Sequence, residues 1–231
     1  MLSEIQQPVL KMQKFIKILG FAFITCFFIN ASVTAAQAAD APAAKTEVKQ
    51  LNKDSSPEDV VNVFYTQLLA TMKNGDELGF KGRYEKLAPM LTATFDFETM
   101  IKLAVGSAWA NASKSEQQAL TAAFTDFSVA NYASRFTSSP DGSFAIGEVK
   151  KSGENILVDS TLEPVKGESV PLSYLMHKDA SGQFKVIDVL MGGMISELAS
   201  KRSEFSAIIK NMGISGLVDM LNEKVTEMKN S

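Results

Sequence analysis

Residues 140–191, PDGSFAIGEVKKSGENILVDSTLEPVKGESVPLSYLMHKDASGQFKVIDVLM, decide the fold, because here the apolar spacing changes from helical to alternating. Pro140-Asp141-Gly142 is turn chemistry. Beyond it lie four short runs, 144–151, 155–162, 169–178 and 184–191, and the breaks between them hold Gly153, Gly167 and Gly182. Connections this short join antiparallel neighbours, so the stretch predicts a four-stranded meander. In the third run Val170, Leu172, Tyr174 and Met176 share one face; in the fourth, Ile187, Val189 and Met191 oppose Phe184, Val186, Asp188 and Leu190.

The flanks read as helices. Ser56-Pro57-Glu58-Asp59 opens one with an N-cap hydroxyl, Pro at the first helical position and acids in the first turn. Val60, Val61, Phe64, Leu68, Leu69 and Met72 fall on one face, and Asn74-Gly75 ends the run. A second helix around 84–91 contains Pro89, where a kink or break is expected. A third, from Asp96 to Val105, stops at Gly106 just before Trp109. Ser113-Lys114-Ser115-Glu116 is a capping box that opens a long helix bearing Leu120, Ala123, Phe124 and Phe127. After Gly192-Gly193 the pattern is helical again, through Leu198, Phe205, Ile208, Ile209 and Met212 to Gly213, and a last helix runs from Ser215. The whole predicts an α+β domain: a helical N-terminal half, a four-stranded antiparallel sheet, and two C-terminal helices packed over the sheet.

The first residues set the compartment. Lys11, Lys14 and Lys17 precede an uncharged run from Ile18 to Val33, and Ala36-Gln37-Ala38 supplies the small-x-small site of a signal peptidase. Residues 1–38 are therefore expected to be a signal peptide, 39–54 a disordered tether and 55–231 the domain. An uncleaved membrane anchor is the competing reading, but the run is short for a span of about 20 residues and Asn30 interrupts it. Cys26 follows Phe23-Ile24-Thr25, which is not a lipoprotein signal, so the mature chain has no cysteine and neither disulfides nor thiol catalysis. The leader holds three lysines and one glutamate, leaving 20 basic against 25 acidic residues in the mature chain, net −5. That balance argues against nucleic acid as a partner.

No residue pattern points to catalysis. His177 is the only histidine, which excludes a multi-His metal site, and it reads as a surface residue near a strand end. Asp188 sits between Ile187 and Val189 in a half-buried strand, and reads as a structural acid held by an Arg or by the amides of residues 192–194. Asp159 is the one acid with which it would form a carboxylate pair for acid–base work, though nothing fixes their spacing. The chain has no Ser/His/Asp arrangement, phosphate-cradling glycine loop or HExxH motif. It is read as a non-enzyme with no cofactor and no metal. What it has instead is nine methionines beyond residue 38, among them Met191 and Met194 beside Ile195 at the strand-to-helix corner. Met suits apolar surfaces that re-pack around varied ligands.

Several segments together resemble the MlaC (toluene-tolerance Ttg2D) family of periplasmic phospholipid-binding proteins, nearest its hopanoid-associated HpnM branch. They are Arg83-Tyr84 leading to Phe95-Asp96-Phe97, the break from Gly106 to Trp109, and Ser115-Glu116 into the helix with Phe124 and Tyr132. Val170–Tyr174, the strand Phe184–Val189, Ser196 after Gly193, and Phe205-x-x-Ile208-Ile209 followed by Gly213 and Leu217 complete the resemblance, which spans residues 56–227. Two positions depart from the family's pattern: Phe184, where Trp is frequent, and Gly192, where a polar residue is usual. The resemblance implies a lipid shuttle, a monomer with an apolar cavity. It would carry phospholipid or hopanoid between an inner-membrane ABC transporter complex and an outer-membrane lipoprotein complex. The alternative is a periplasmic adaptor of the same fold that binds only protein partners. From their inward faces, Tyr174, Val189, Met191 and Met194 are expected to line the cavity, with Met100, Ile101, Phe124 and Phe205 closing it from the helices.

Overall fold

The structure, a computed structural model, describes residues 50–138, 142–164 and 168–230. The expected leader and cleavage site, residues 39–49 of the expected tether, Pro140, Asp141 and Gly167 lie outside the described residues. Helices α1 (Pro57–Lys73), α2 (Gly75–Thr94), α3 (Phe97–Val105), α4 (Ser107–Asn111) and α5 (Lys114–Arg135) come first. Strands β1 (Gly142–Ser152), β2 (Asn155–Pro164), β3 (Val170–Lys178), β4 (Phe184–Met191) and β5 (Ile195–Ser196) follow, and α6 (Glu197–Lys229) ends the chain. This is an α+β fold in which helices cover one face of an antiparallel sheet.

The caps explain where the helices start. Asp59 N–H donates to the Ser56 hydroxyl at 3.2 Å, and the Ser56 amide donates to the Asp59 carboxylate at 3.0 Å. Ahead of this box, Ser55 N–H bonds the Asn52 carbonyl at 3.0 Å, so a turn already forms within the end of the expected tether. Ser113 and Glu116 repeat the same reciprocal arrangement at α5. The predicted break at Pro89 is not where α2 bends. The helix runs through Pro89, an exposed residue whose missing N–H leaves only the carbonyl of exposed Glu85 to water. The non-helical residue is Gly79, at φ 58° and ψ −177°. The two expected C-terminal helices are the halves of α6, divided at Gly213 (φ 73°), a left-handed conformation that suits glycine.

Arg83 fastens the helical layer. Buried, it donates from Nε to the Ala133 carbonyl at 2.7 Å and from its terminal nitrogen to the Gly75 carbonyl at 2.6 Å. The chain passes so close that a Cβ on Gly75 would lie 1.8 Å from the Thr137 carbonyl oxygen, so only glycine fits.

The strands pair antiparallel in the order β1-β2-β3-β4-β5. β5 is a two-residue addition that the sequence did not announce; Ile195 and Ser196 pair with Met191 and Leu190. A second difference lies in β4. The register steps from Met176↔Val186 to Leu175↔Asp188, so Ile187 is an extra residue, a β-bulge. It places Val186 on the same face as Val189 and Met191, where strict alternation had put it opposite. That face carries Val158, Ser160 and Leu162 of β2 and Leu172, Tyr174 and Met176 of β3, all buried. Helices α1, α2 and α3 contact the sheet, and α5 packs on α2, α3 and α6. Among the described residues no helix is long and apolar enough to cross a membrane.

Candidate functional site

The inner sheet face and the helices enclose an interior organised by rings. A chain of aromatic contacts runs through it. Phe205 of α6 meets Phe124 of α5 edge-on at 6.3 Å, Phe124 meets Phe97 at 6.1 Å, and Phe97 stacks on Phe95 at 5.8 Å. Phe95 then meets Phe64 of α1 at 5.4 Å, and Phe64 meets Tyr174 of β3 at 5.9 Å. Tyr65, next to Phe64, stacks on Phe144 of β1 at 4.0 Å. Offset and edge-on contacts at these separations are favourable beyond the area they bury.

The residues singled out in the sequence fall unevenly on this frame. Tyr174 and Val189 are cross-strand partners, and Met191 pairs with Leu172 one step along. Tyr174 and Met191 are buried and Val189 is half-buried. Met100 and Ile101 are buried on α3; Phe124 and Phe205 are buried and in contact with each other. Met194 differs, being 85% exposed. It follows Gly192 and Gly193, both at positive φ (61° and 73°), and that tight corner turns the side chain outward.

A polar feature inside this apolar frame was not anticipated. Three of the chain's four tyrosines converge there. Tyr65 donates to the Tyr174 hydroxyl at 2.9 Å and lies 2.6 Å from the Ser160 hydroxyl. Tyr132, half-buried, sits edge-on to Phe64 at 5.8 Å and stacks on Phe136 at 5.2 Å. Burial pushes the Tyr65, Tyr132 and Tyr174 hydroxyls up from their ordinary range, so all three are neutral at physiological pH. Beside Tyr132 are the starting turn of α6 and the end of α5. Burial raises the Glu197 carboxyl, nearby Lys201 and Arg135 oppose that, and Asp188 adds to it. Burial lowers the Arg135 guanidinium, which Glu197 counteracts.

The acids of the sheet do structural work. Asp188 is buried on the face opposite Val189, and its partners are not the expected Arg or the amides of residues 192–194. It accepts from the Ser196 hydroxyl at 2.5 Å, the Leu198 amide at 3.2 Å and the Val189 amide at 2.8 Å. The β4–β5 pairing folds the start of α6 back over β4, which brings Ser196 and Leu198 to the carboxylate in place of the corner glycines. Asp159 is held instead by Lys150 at 2.6 Å and Ser173 at 2.8 Å. It lies two strands from Asp188, on the order of 10 Å at ordinary strand spacing, too far for a shared-proton pair. His177 is half-buried and not on the open surface; its Nε2 lies 2.7 Å from Asp96 Oδ2. Among the described residues no group of three metal-ligating side chains is placed to hold an ion.

A family model described as MlaC protein matches residues 62–223. The chain belongs to the MlaC family. Among solved structures, this MlaC chain is similar to the phospholipid-binding protein from Ralstonia solanacearum in complex with a phospholipid. The TM-score is 0.66 at 22% identity, over 75% of this chain and 99% of the other. At that identity the likeness is one of fold. No curated protein matches this MlaC sequence.

Proposed function

We propose that this protein is a periplasmic lipid carrier, holding the acyl chains of a phospholipid, with hopanoid as a second cargo, between the inner sheet face and the helices. The observation that carries the reading is the buried apolar chain of ring contacts from Phe205 to Tyr174, between helices and sheet, in a chain that matches the MlaC family model over residues 62–223. The solved relative of the same fold is a phospholipid-binding protein in complex with a phospholipid, which supports the same ligand class here.

The physics requires such a container. Two acyl chains carry about 30 methylenes, and at ~0.8 kcal/mol each they resist exposure to water by roughly 24 kcal/mol. A lipid therefore crosses an aqueous gap only inside apolar walls. Tyr174, Val189 and Met191 form the sheet wall, and Met100, Ile101, Phe124 and Phe205 form the helical wall. Met194, exposed at the corner, belongs to the rim of the opening. The signal peptide of residues 1–38 delivers the chain to the periplasm, where it acts as a monomer. It passes lipid between an inner-membrane ABC transporter complex and an outer-membrane lipoprotein complex, and it catalyses no reaction.

Transfer between two vesicle populations tests this reading. Donor vesicles containing a fluorescent phosphatidylethanolamine lose it to unlabelled acceptors at a rate proportional to protein concentration. A rate equal to the protein-free background would refute the carrier.

A further inference from the structure

The interior hydroxyls remain unexplained by acyl-chain binding alone. A lipid tail offers nothing to a hydroxyl, and a buried donor without an acceptor is costly. Each hydroxyl has one hydrogen to give. The geometry spends that of Tyr65 on the Tyr174 oxygen at 2.9 Å. The 2.6 Å contact between Tyr65 and Ser160 then takes its hydrogen from Ser160, whose other acceptor, the Leu172 carbonyl, lies 3.4 Å away. The relay therefore runs from Ser160 to Tyr65 to Tyr174. The hydrogen of Tyr174, a residue 97% buried, is left without an acceptor among the described residues. The hydroxyl of half-buried Tyr132 likewise makes no hydrogen bond among the described residues, and its ring meets Phe64 at 5.8 Å, the same ring that meets Tyr174 at 5.9 Å.

We infer that the Tyr174 and Tyr132 hydroxyls donate to the ester carbonyl oxygens of a diacyl glycerolipid, and that this pair sets a preference for ester-linked over ether-linked cargo. The inference rests on the lipid-carrier reading and adds a specificity to it. Two spare donors match two ester carbonyls at the neck between glycerol and acyl chains. An ether oxygen is a weaker acceptor in a different place, and a saturated polycyclic hydrocarbon has none. Neutral tyrosines suit this role, since burial holds all three hydroxyls protonated. The phenol rings meanwhile remain part of the apolar wall through Phe64 and Phe136.

The test is a competition. The purified protein is incubated with vesicles of equimolar dipalmitoyl phosphatidylcholine and its dihexadecyl ether analogue, re-isolated, and its lipid quantified by mass spectrometry. One or two neutral hydrogen bonds predict an ester excess of about threefold to tenfold. Tyr174→Phe should bring the ratio close to one. Tyr132→Phe should cut the excess partway, and it serves in place of Tyr174→Phe should that variant fail to fold. A ratio of one in the unaltered protein, or an excess that survives both substitutions, overturns the inference and leaves the carrier standing. Uptake of neither lipid would instead refute the carrier itself.

Discussion

Replacing Asp188 by alanine isolates the contact that fixes the start of α6. The carboxylate accepts from the Ser196 hydroxyl at 2.5 Å, the Leu198 amide at 3.2 Å and the Val189 amide at 2.8 Å. Alanine removes both acceptor oxygens and with them all three hydrogen bonds. The Leu198 residue is buried, so its amide loses a charged acceptor with nothing to replace it, a loss of about 1.5–3 kcal/mol. Ser196 is half-buried, and its hydroxyl recovers partly through water, at about 0.5–1.5 kcal/mol. The α6 N-terminus also loses a nearby negative charge, roughly 0.3–1 kcal/mol. Together these give about 2–5.5 kcal/mol, which in a domain of this size lowers Tm by roughly 5–22 °C. Thermal unfolding followed by circular dichroism measures it. Asp188→Asn should lose less, because one oxygen remains to accept from the Leu198 amide. In a double-mutant cycle with Ser196→Ala, the pair should couple by at least about 1 kcal/mol. A Tm within 2 °C of the unaltered protein would refute the clamp, and an intact fold with chemically altered lipid would revive a catalytic role for Asp188.

Val189→Trp and Met191→Trp place an indole on the sheet wall and should each at least halve copurifying lipid with Tm held within a few degrees; full occupancy in folded variants would move the cavity elsewhere. Asp96 gives a pH dependence. Burial would raise its carboxyl, but hydrogen bonds from Thr99 and His177 outweigh it and hold the group below its ordinary 3.8. A depressed carboxylate stabilises the fold above the unfolded pKa, and the effect is lost as pH falls through the folded value. Stability should therefore drop below about pH 4, and urea titrations of Asp96→Asn should show a shallower acid loss; an unchanged acid slope would contradict this. N-terminal sequencing of the exported protein should begin at Ala39, whereas a retained leader in the membrane fraction would exclude cleavage after Ala38.

Much of the fold is local and was readable. The four main strands lie within two residues of the predicted runs, because alternation and glycine breaks are encoded where they act. The caps at Ser56 and Ser113 and the breaks at Gly106 and Gly213 are short-range as well. What escaped depends on partners. The bulge at Ile187 exists only in the register with β3, and β5 only once the chain has turned at Gly192-Gly193. Tyr65 meets Ser160 and Tyr174 across 95 and 109 residues, a convergence no local pattern carries. A weak signal was present. Val63 and Tyr65 widen the apolar face of α1 beyond one stripe, as expected of a helix covered on more than one side. Met194 shows the converse, since its neighbours Met191 and Ile195 suggested an inward face, and two left-handed glycines turn it outward.

The most direct measurement is native mass spectrometry of the exported protein purified without detergent, with organic extraction of the same sample. The account predicts one bound lipid per chain, mainly ester-linked diacyl phospholipid. A chain that carries no lipid, and acquires none after incubation with phospholipid vesicles, would contradict it.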